Sequence, residues 1–278
     1  MTAILSNDAM KPRFTADAVL NAAARLWLGV AVIGQWVFVY YIVAFYGVST
    51  VHGDFAVWRK NHALFKGYVP GDTAGNLAFA AHALLAAVIA FGGAVQLIPQ
   101  IRTRVPALHR WNGRLFMITA LGVSITGLYM VWVRHGAATL LGAQAISLNA
   151  VLIIAFVALA WRAAAAREFD SHRRWALRAY MVANGQWFFR VGIFAWIVVN
   201  GGPVGIGDDF DGPFVRFLGF GCYVVPLAFT ELYLRAKDRP GPGGRLAMAG
   251  ALVTLAALTA VGIVGLYFFG FRPVLGRL

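Results

Sequence analysis

Between residues 136 and 161 the chain carries no Asp, Glu, Lys or Arg. Coiled as an α-helix, which rises about 1.5 Å per residue, such a run crosses the roughly 30 Å of a bilayer's hydrocarbon with residues to spare. Hydrocarbon offers no partner to backbone N–H and C=O groups, so a segment of this length enters it as a helix that satisfies them internally. Six more predominantly apolar runs occur, at 26–48, 76–98, 113–133, 175–199, 214–234 and 246–271. The expectation is an all-α membrane protein of about seven transmembrane helices.

Composition agrees. Of the 278 residues, 60% are hydrophobic and 13% charged, too little charge to solvate the surface of a soluble domain. In a soluble chain the net charge of +13 would point to nucleic acid. Here the basic residues sit in short segments between apolar runs, so the expected partner is the lipid bilayer and not nucleic acid. Lys11, Arg13 and Arg25, then Arg102, Arg104, Arg110 and Arg114, then the Arg162–Arg178 segment, then the turn at 235–245 all fall on one side of a seven-span chain. The positive-inside rule makes that side cytoplasmic, with the N-terminus inside, the C-terminus outside and the chain in the cell's inner membrane. Lys11, Arg13 and Arg25 also interrupt any signal-peptide core, so the first span reads as an uncleaved anchor. The lone Cys222 excludes an intramolecular disulfide and a Cys-based cluster within one chain.

The chain thus divides into a cytoplasmic N-terminal segment (1–25), a first span (26–48), an outer loop (49–75), a four-helix core (76–200, spans two to five) and two C-terminal spans (201–278). Within the core, HRWNGR at His109 and HRRWALR at His172 echo one another. Each opens a span leaving the cytoplasmic side with a His-Arg pair, a nearby Trp and a further Arg one turn on. The echo suggests that spans two–three and four–five form an imperfect parallel repeat. Ala145 stands where a second His82 would be, and Gly127 where a second Arg190 would be, so any symmetric site has diverged.

The stretch from Asp170 to Arg190 is the richest in chemistry. His172, Arg173, Arg174 and Arg178 stand at its mouth, and Arg190 lies inside the apolar part. On a straight helix of about 3.6 residues per turn, Arg190 follows His172 by five turns on the same face, roughly 27 Å away. An arginine at that depth costs at least about 2.5 kcal/mol unless it faces the bundle interior and is paired. It is therefore a candidate ligand-binding group, or a structural hub that caps carbonyls. His82, the ionisable residue of the second span, is the companion candidate, with Asn149 and Tyr129 at similar depth and His135 as a partner for its imidazole.

At the cytoplasmic side His109 and His172 reach matching depths, with Gln96, Arg114 and Arg178 nearby. Two readings fit. The histidines are axial ligands of a b-type haem whose propionates meet the arginines, or the cluster holds a quinone ring or an anionic headgroup. Against both stands the plain reading that arginines at helix ends snorkel to lipid phosphates. Glu231 is expected to pair with an arginine. His52 and His62 lie in the outer loop. No phosphate-binding glycine loop, metal-binding His-Glu-x-x-His helix or nucleophile elbow is present.

The residues GGAVQ (92–96), RTRVPALHRWNGR (102–114), GVSITGL (122–128) and HRRWALR through Arg190 resemble the bacterial membrane family catalogued as domain of unknown function 2306. His82, Gln96, Pro106, His109, Arg110, Gly113, Arg114, His172, Trp175, Arg178 and Arg190 fall on its pattern, while Ala94 replaces an expected proline. The resemblance spans about residues 76–200 and implies topology and site residues rather than a reaction. Two functions remain. One is electron transfer through haem b or quinone, with a redox partner, as a membrane oxidoreductase component. The other is transport or binding of an anionic or lipid-like small molecule.

Overall fold

In the computed structural model, residues 15–60, 68–239 and 241–276 are described, and every regular element among them is helical. The first helix starts ten residues before the point at which charge stops. In α1 (Ala16–Ile42) the Thr15 side chain accepts from the Ala18 N–H at 3.2 Å, and Asp17 occupies the first turn. Leu20 and Ala23 are buried against Met248, Ala249 and Leu252, while Arg25 points outward. The expected N-terminal segment 1–25 is thus helical from residue 16, because one outward arginine does not interrupt a helix whose other face is packed.

The same helix runs on through a π-helical stretch, Val43–Gly47, to Val51. The expected loop 49–75 holds a 3₁₀ turn at Phe55–Lys60, where Trp58 is buried and donates to Ser49 at 2.7 Å. His62 lies outside the described residues. The next helix, α2 (Thr73–Gln96), is capped by Asp72, and a short α3 (Pro99–Arg104) precedes α4 (Pro106–Trp132). Then follow α5 (Leu140–Ala165), α6 (Phe169–Ala183), α7 (Gly185–Asn200), α8 (Pro213–Asp238) and α9 (Pro242–Gly265), the last continued by a π-helical stretch at Leu266–Phe271. Six of these helices are long and apolar enough to cross a membrane, and α6 with α7 makes the seventh when counted as one bent span.

That bend corrects the straight face expected between His172 and Arg190. The chain turns by 54° at Asn184. Asn184 Nδ2 bonds its own preceding turn at the Tyr180 carbonyl (2.9 Å), and Gln35 of α1 donates to both Asn184 Oδ1 (3.1 Å) and the Tyr180 hydroxyl (2.8 Å). A buried amide that competes with the backbone for hydrogen bonds ends a helix locally. Its supposed repeat partner, α4, is continuous over the corresponding stretch.

Packing follows small residues. A side chain on Gly262 would meet the Val191 backbone carbonyl, and one on Gly34 would meet Ile263 and Trp187, so α9 lies close against both α7 and α1. In sequence order α1 packs on α2, α2 on α4, α4 on α5 and α5 on α6. The ring closes through α7, α9 and back to α1, with α8 braced outside against α5, α6 and α7. The four spans of the expected core therefore form one side of a larger ring. Its far side is α1 and the C-terminal helix, joined at one end by Arg245–Asp17 (2.9 Å), while Lys237–Asn21 (2.7 Å) ties α8 to α1 at the same end.

Candidate functional site

The site residues named from sequence separate into two groups. At the arginine-rich end they tie helices together. Gln96 donates to the His109 carbonyl (2.8 Å), joining α2 to α4, and Asn112 adds a bond to the Gly92 carbonyl (2.8 Å). A Cβ on Gly93 would press on Phe116 and Tyr180, so the GGAVQ glycines let α4 and α6 approach. His172 Nδ1 meets the Ala160 carbonyl at 2.9 Å. A carbonyl only accepts, so this Nδ1 is the donor, and in the neutral ring Nε2 is the nitrogen with the free lone pair. His109 Nδ1 is buried without a partner among the described residues, with Arg102, Arg110 and His172 as charged or chargeable neighbours. Arg114 lies over Trp111 at 4.9 Å, and Arg178 lies over Trp175 at 4.7 Å. Arg178 also forms a two-pronged pair with Glu231, at 2.6 and 2.9 Å. Glu231 thus pairs with an arginine, as anticipated, and it takes the Arg178 guanidinium that a haem propionate would need.

The second group, His82 and Arg190, faces a cavity of about 540 Å³ inside the helix ring. Its wall is mostly apolar and aromatic, built from α1 (Phe38, Tyr41, Tyr46), α2 (Phe79, Ala86), α4 (Val123, Met130), α5 (Ile146, Ile153), α7 (Trp187, Phe194) and the C-terminal stretch (Leu266, Phe271). Both π-helical stretches, Val43–Gly47 and Leu266–Phe271, border it, and Tyr41 stacks on Phe271 at 4.1 Å. Such widened turns recur at functional positions because they shift side chains off the regular helical face.

Arg190 donates to the Gln186 carbonyl of its own helix at 2.8 Å and lies 5.5 Å from the Phe38 ring centre. Tyr41, Tyr46, Cys222 and His82 are among the ionisable side chains in its field. Among the described residues no carboxylate pairs with it. His82 Nδ1 meets Thr126 Oγ1 at 3.0 Å, and Thr126 gives its own hydrogen to the Gly122 carbonyl at 2.8 Å. The histidine is therefore the donor in that pair, and its Nε2 is left as an acceptor. Gly127 makes room for the ring: a Cβ there would sit 3.4 Å from it. The expected pairing of His82 with His135 is not formed, since His135 is exposed in the turn after α4. Tyr129 is 37% exposed and outside the cavity wall, whereas Asn149 lines it. His52 is spent on the Val48 carbonyl of its own turn, at 2.8 Å.

Four contributors are not singled out by the sequence. Trp187 is a cavity wall residue indistinguishable by pattern from the neighbouring core aromatics. Asn184 and Gln35 look like isolated polar residues until the bend brings them together. Arg134, at the end of the third apolar run, lines the cavity and is joined to Asp72 at 3.0 Å and Asn76 at 3.2 Å.

A ring of membrane helices around an apolar cavity with a few inward polar groups defines a polytopic helical membrane protein with an internal cavity. The model of the predicted membrane protein family DUF2306 matches residues 79–234, more than half of the chain, and the protein belongs to that family. The match covers most of α2 and the helices up to α8, while α1 and the C-terminal helix, which complete the cavity wall, lie outside it. No curated protein and no solved structure matches the chain.

Proposed function

We propose that this protein binds an amphipathic small molecule in the central cavity, with an oxygen-bearing head, of quinone or anionic lipid-like kind, set against Arg190. The observation that carries this reading is the Arg190 guanidinium, which opens on a mostly apolar cavity and has no carboxylate partner among the described residues. A cation held at membrane depth is costly, and a ligand oxygen offsets that cost better than one backbone carbonyl does. Aromatic walls accept a ring or an acyl chain equally well, and His82 Nε2 supplies an acceptor on the opposite helix. Bound as a quinone, the head exchanges electrons with a redox partner. Bound as an anion, it is carried or held. The test is whether a decyl quinone or dodecanoate binds the wild-type chain and is released by Arg190→Gln.

A second reading keeps b-type haem at the arginine-rich end, between His109 and His172. Its support is the His172 Nδ1 bond to Ala160, which leaves Nε2 of the neutral ring available as a ligand atom, and the nearby His109 Nδ1, which has no partner among the described residues. For orientation, the clustering of Lys and Arg at that end supports placing it, and the N-terminus, in the cytoplasm, with the cavity in the outer half of an inner membrane.

A further inference from the structure

Two polar atoms in the cavity wall have no partner among the described residues. Asn149 is 5% exposed and its Oδ1 accepts nothing; Trp187 is 2% exposed and its Nε1 donates to nothing. A buried polar atom left unpaired is costly, so such atoms are retained where something else completes them. Both line the cavity near the start of α7, Trp187 with its ring against Gly34 of α1. Asn149 packs against Gly185, the first residue of α7, where a Cβ would come within 2.9 Å of the amide. Trp187 follows on the same first turn, and α7 begins there with no side-chain cap. Trp187 Nε1 and the Arg190 guanidinium one turn beyond are donors, and so favour an acceptor oxygen. Asn149 Oδ1 asks for the opposite, a donor.

We infer that the head group taken by this cavity carries a hydroxyl donor beside its acceptor oxygen: a hydroxyaryl head of the quinol type, its O–H toward Asn149 and an oxygen toward Arg190 and Trp187. The inference rests on the cavity reading above and narrows it. A purely accepting head, such as a quinone or a fully alkylated ether, leaves Asn149 Oδ1 unpaired. A site built to bond a hydroxyl rejects an analogue lacking it more strongly than an apolar pocket distinguishes sizes.

The full chain in lipid nanodiscs is titrated with decylhydroquinone, the corresponding quinone and the hydroquinone dimethyl ether, followed by tryptophan fluorescence. The hydroquinone is expected to bind about tenfold more tightly than the ether or the quinone, the change that about 1.4 kcal/mol produces. Asn149→Leu brings the hydroquinone to the level of the ether. The comparison of the three probes on the wild-type chain needs no variant, so it decides even where Asn149→Leu fails to accumulate. Equal wild-type affinity for hydroquinone and ether overturns the hydroxyl requirement. If Arg190→Gln still weakens both probes in that case, the cavity reading stands without it; if Arg190→Gln alters neither, the cavity reading falls as well.

Discussion

Arg178 and Glu231 grip one another across α6 and α8 through two parallel hydrogen bonds, 2.6 and 2.9 Å long, with the guanidinium also covering Trp175. The side chains are 17% and 38% exposed, so the pair is neither fully screened nor fully desolvated. In a double-mutant cycle of Arg178→Met and Glu231→Gln, measured by thermal unfolding in detergent, the coupling should be about 1 kcal/mol. Additive effects would mean that the pair does not brace α8 against the bundle.

The haem reading has a plain readout. If His109 and His172 ligate a b-type haem, protein from haem-replete cells shows a low-spin reduced-minus-oxidised spectrum, and either His→Ala change removes or converts it. His52→Ala leaves it unchanged, because that ring is bound to its own helix turn. A wild-type preparation that stays colourless after haem is added back excludes the haem.

The bend at Asn184 depends on side chains rather than on proline or a glycine pair. Asn184→Ala with Gln35→Leu removes the bonds that replace the regular ladder, and the span should straighten. With spin labels at the exposed positions Phe169 and Val199 in a Cys222→Ser background, the separation should grow by about 5 Å, from roughly 40 to 45 Å along a continuous helix rising 1.5 Å per residue. An unchanged distance would show that packing from α1 and α8 alone sets the angle.

Orientation is tested with fused reporters. One placed after Leu278 should report from outside the cytoplasm and one in the 235–245 turn from inside it. The reverse pattern would contradict the reading of the Lys and Arg distribution.

How much of this was legible follows from what each signal measures. Hydropathy counts apolar residues, so it locates the spans, but it shortens α1 at Arg25 and α4 beyond Arg110, where a charge on a helix face ends nothing. Helical periodicity linked His172 to Arg190 only by assuming a straight axis, and Asn184 breaks it. Arg190 and His82 stood out because charge and imidazole are rare at that depth, and both do reach one cavity. The arginine-rich cluster stood out for the same reason, yet its Arg178 is committed to Glu231 and its Gln96 to the His109 carbonyl, partners that no spacing along the chain reveals. The cavity itself was invisible because Phe38, Tyr41, Leu266 and Phe271, which wall it, come from helices outside the family-like region.

The central claim is that the cavity beside Arg190 holds an amphiphile by its head. The most direct measurement is the affinity of decylhydroquinone for the wild-type chain, for Arg190→Gln and for Arg216→Gln, all in the same nanodiscs. Arg216 pairs with Asp211 at 3.3 Å on an exposed surface and serves as a control for the loss of one positive charge. Loss of a charge-assisted hydrogen bond of about 1.5–3 kcal/mol predicts that Arg190→Gln binds at least tenfold more weakly, with the thermal stability of the chain retained and Arg216→Gln unchanged. Equal affinity in all three proteins would contradict the claim and leave Arg190 as a hub that caps the Gln186 carbonyl.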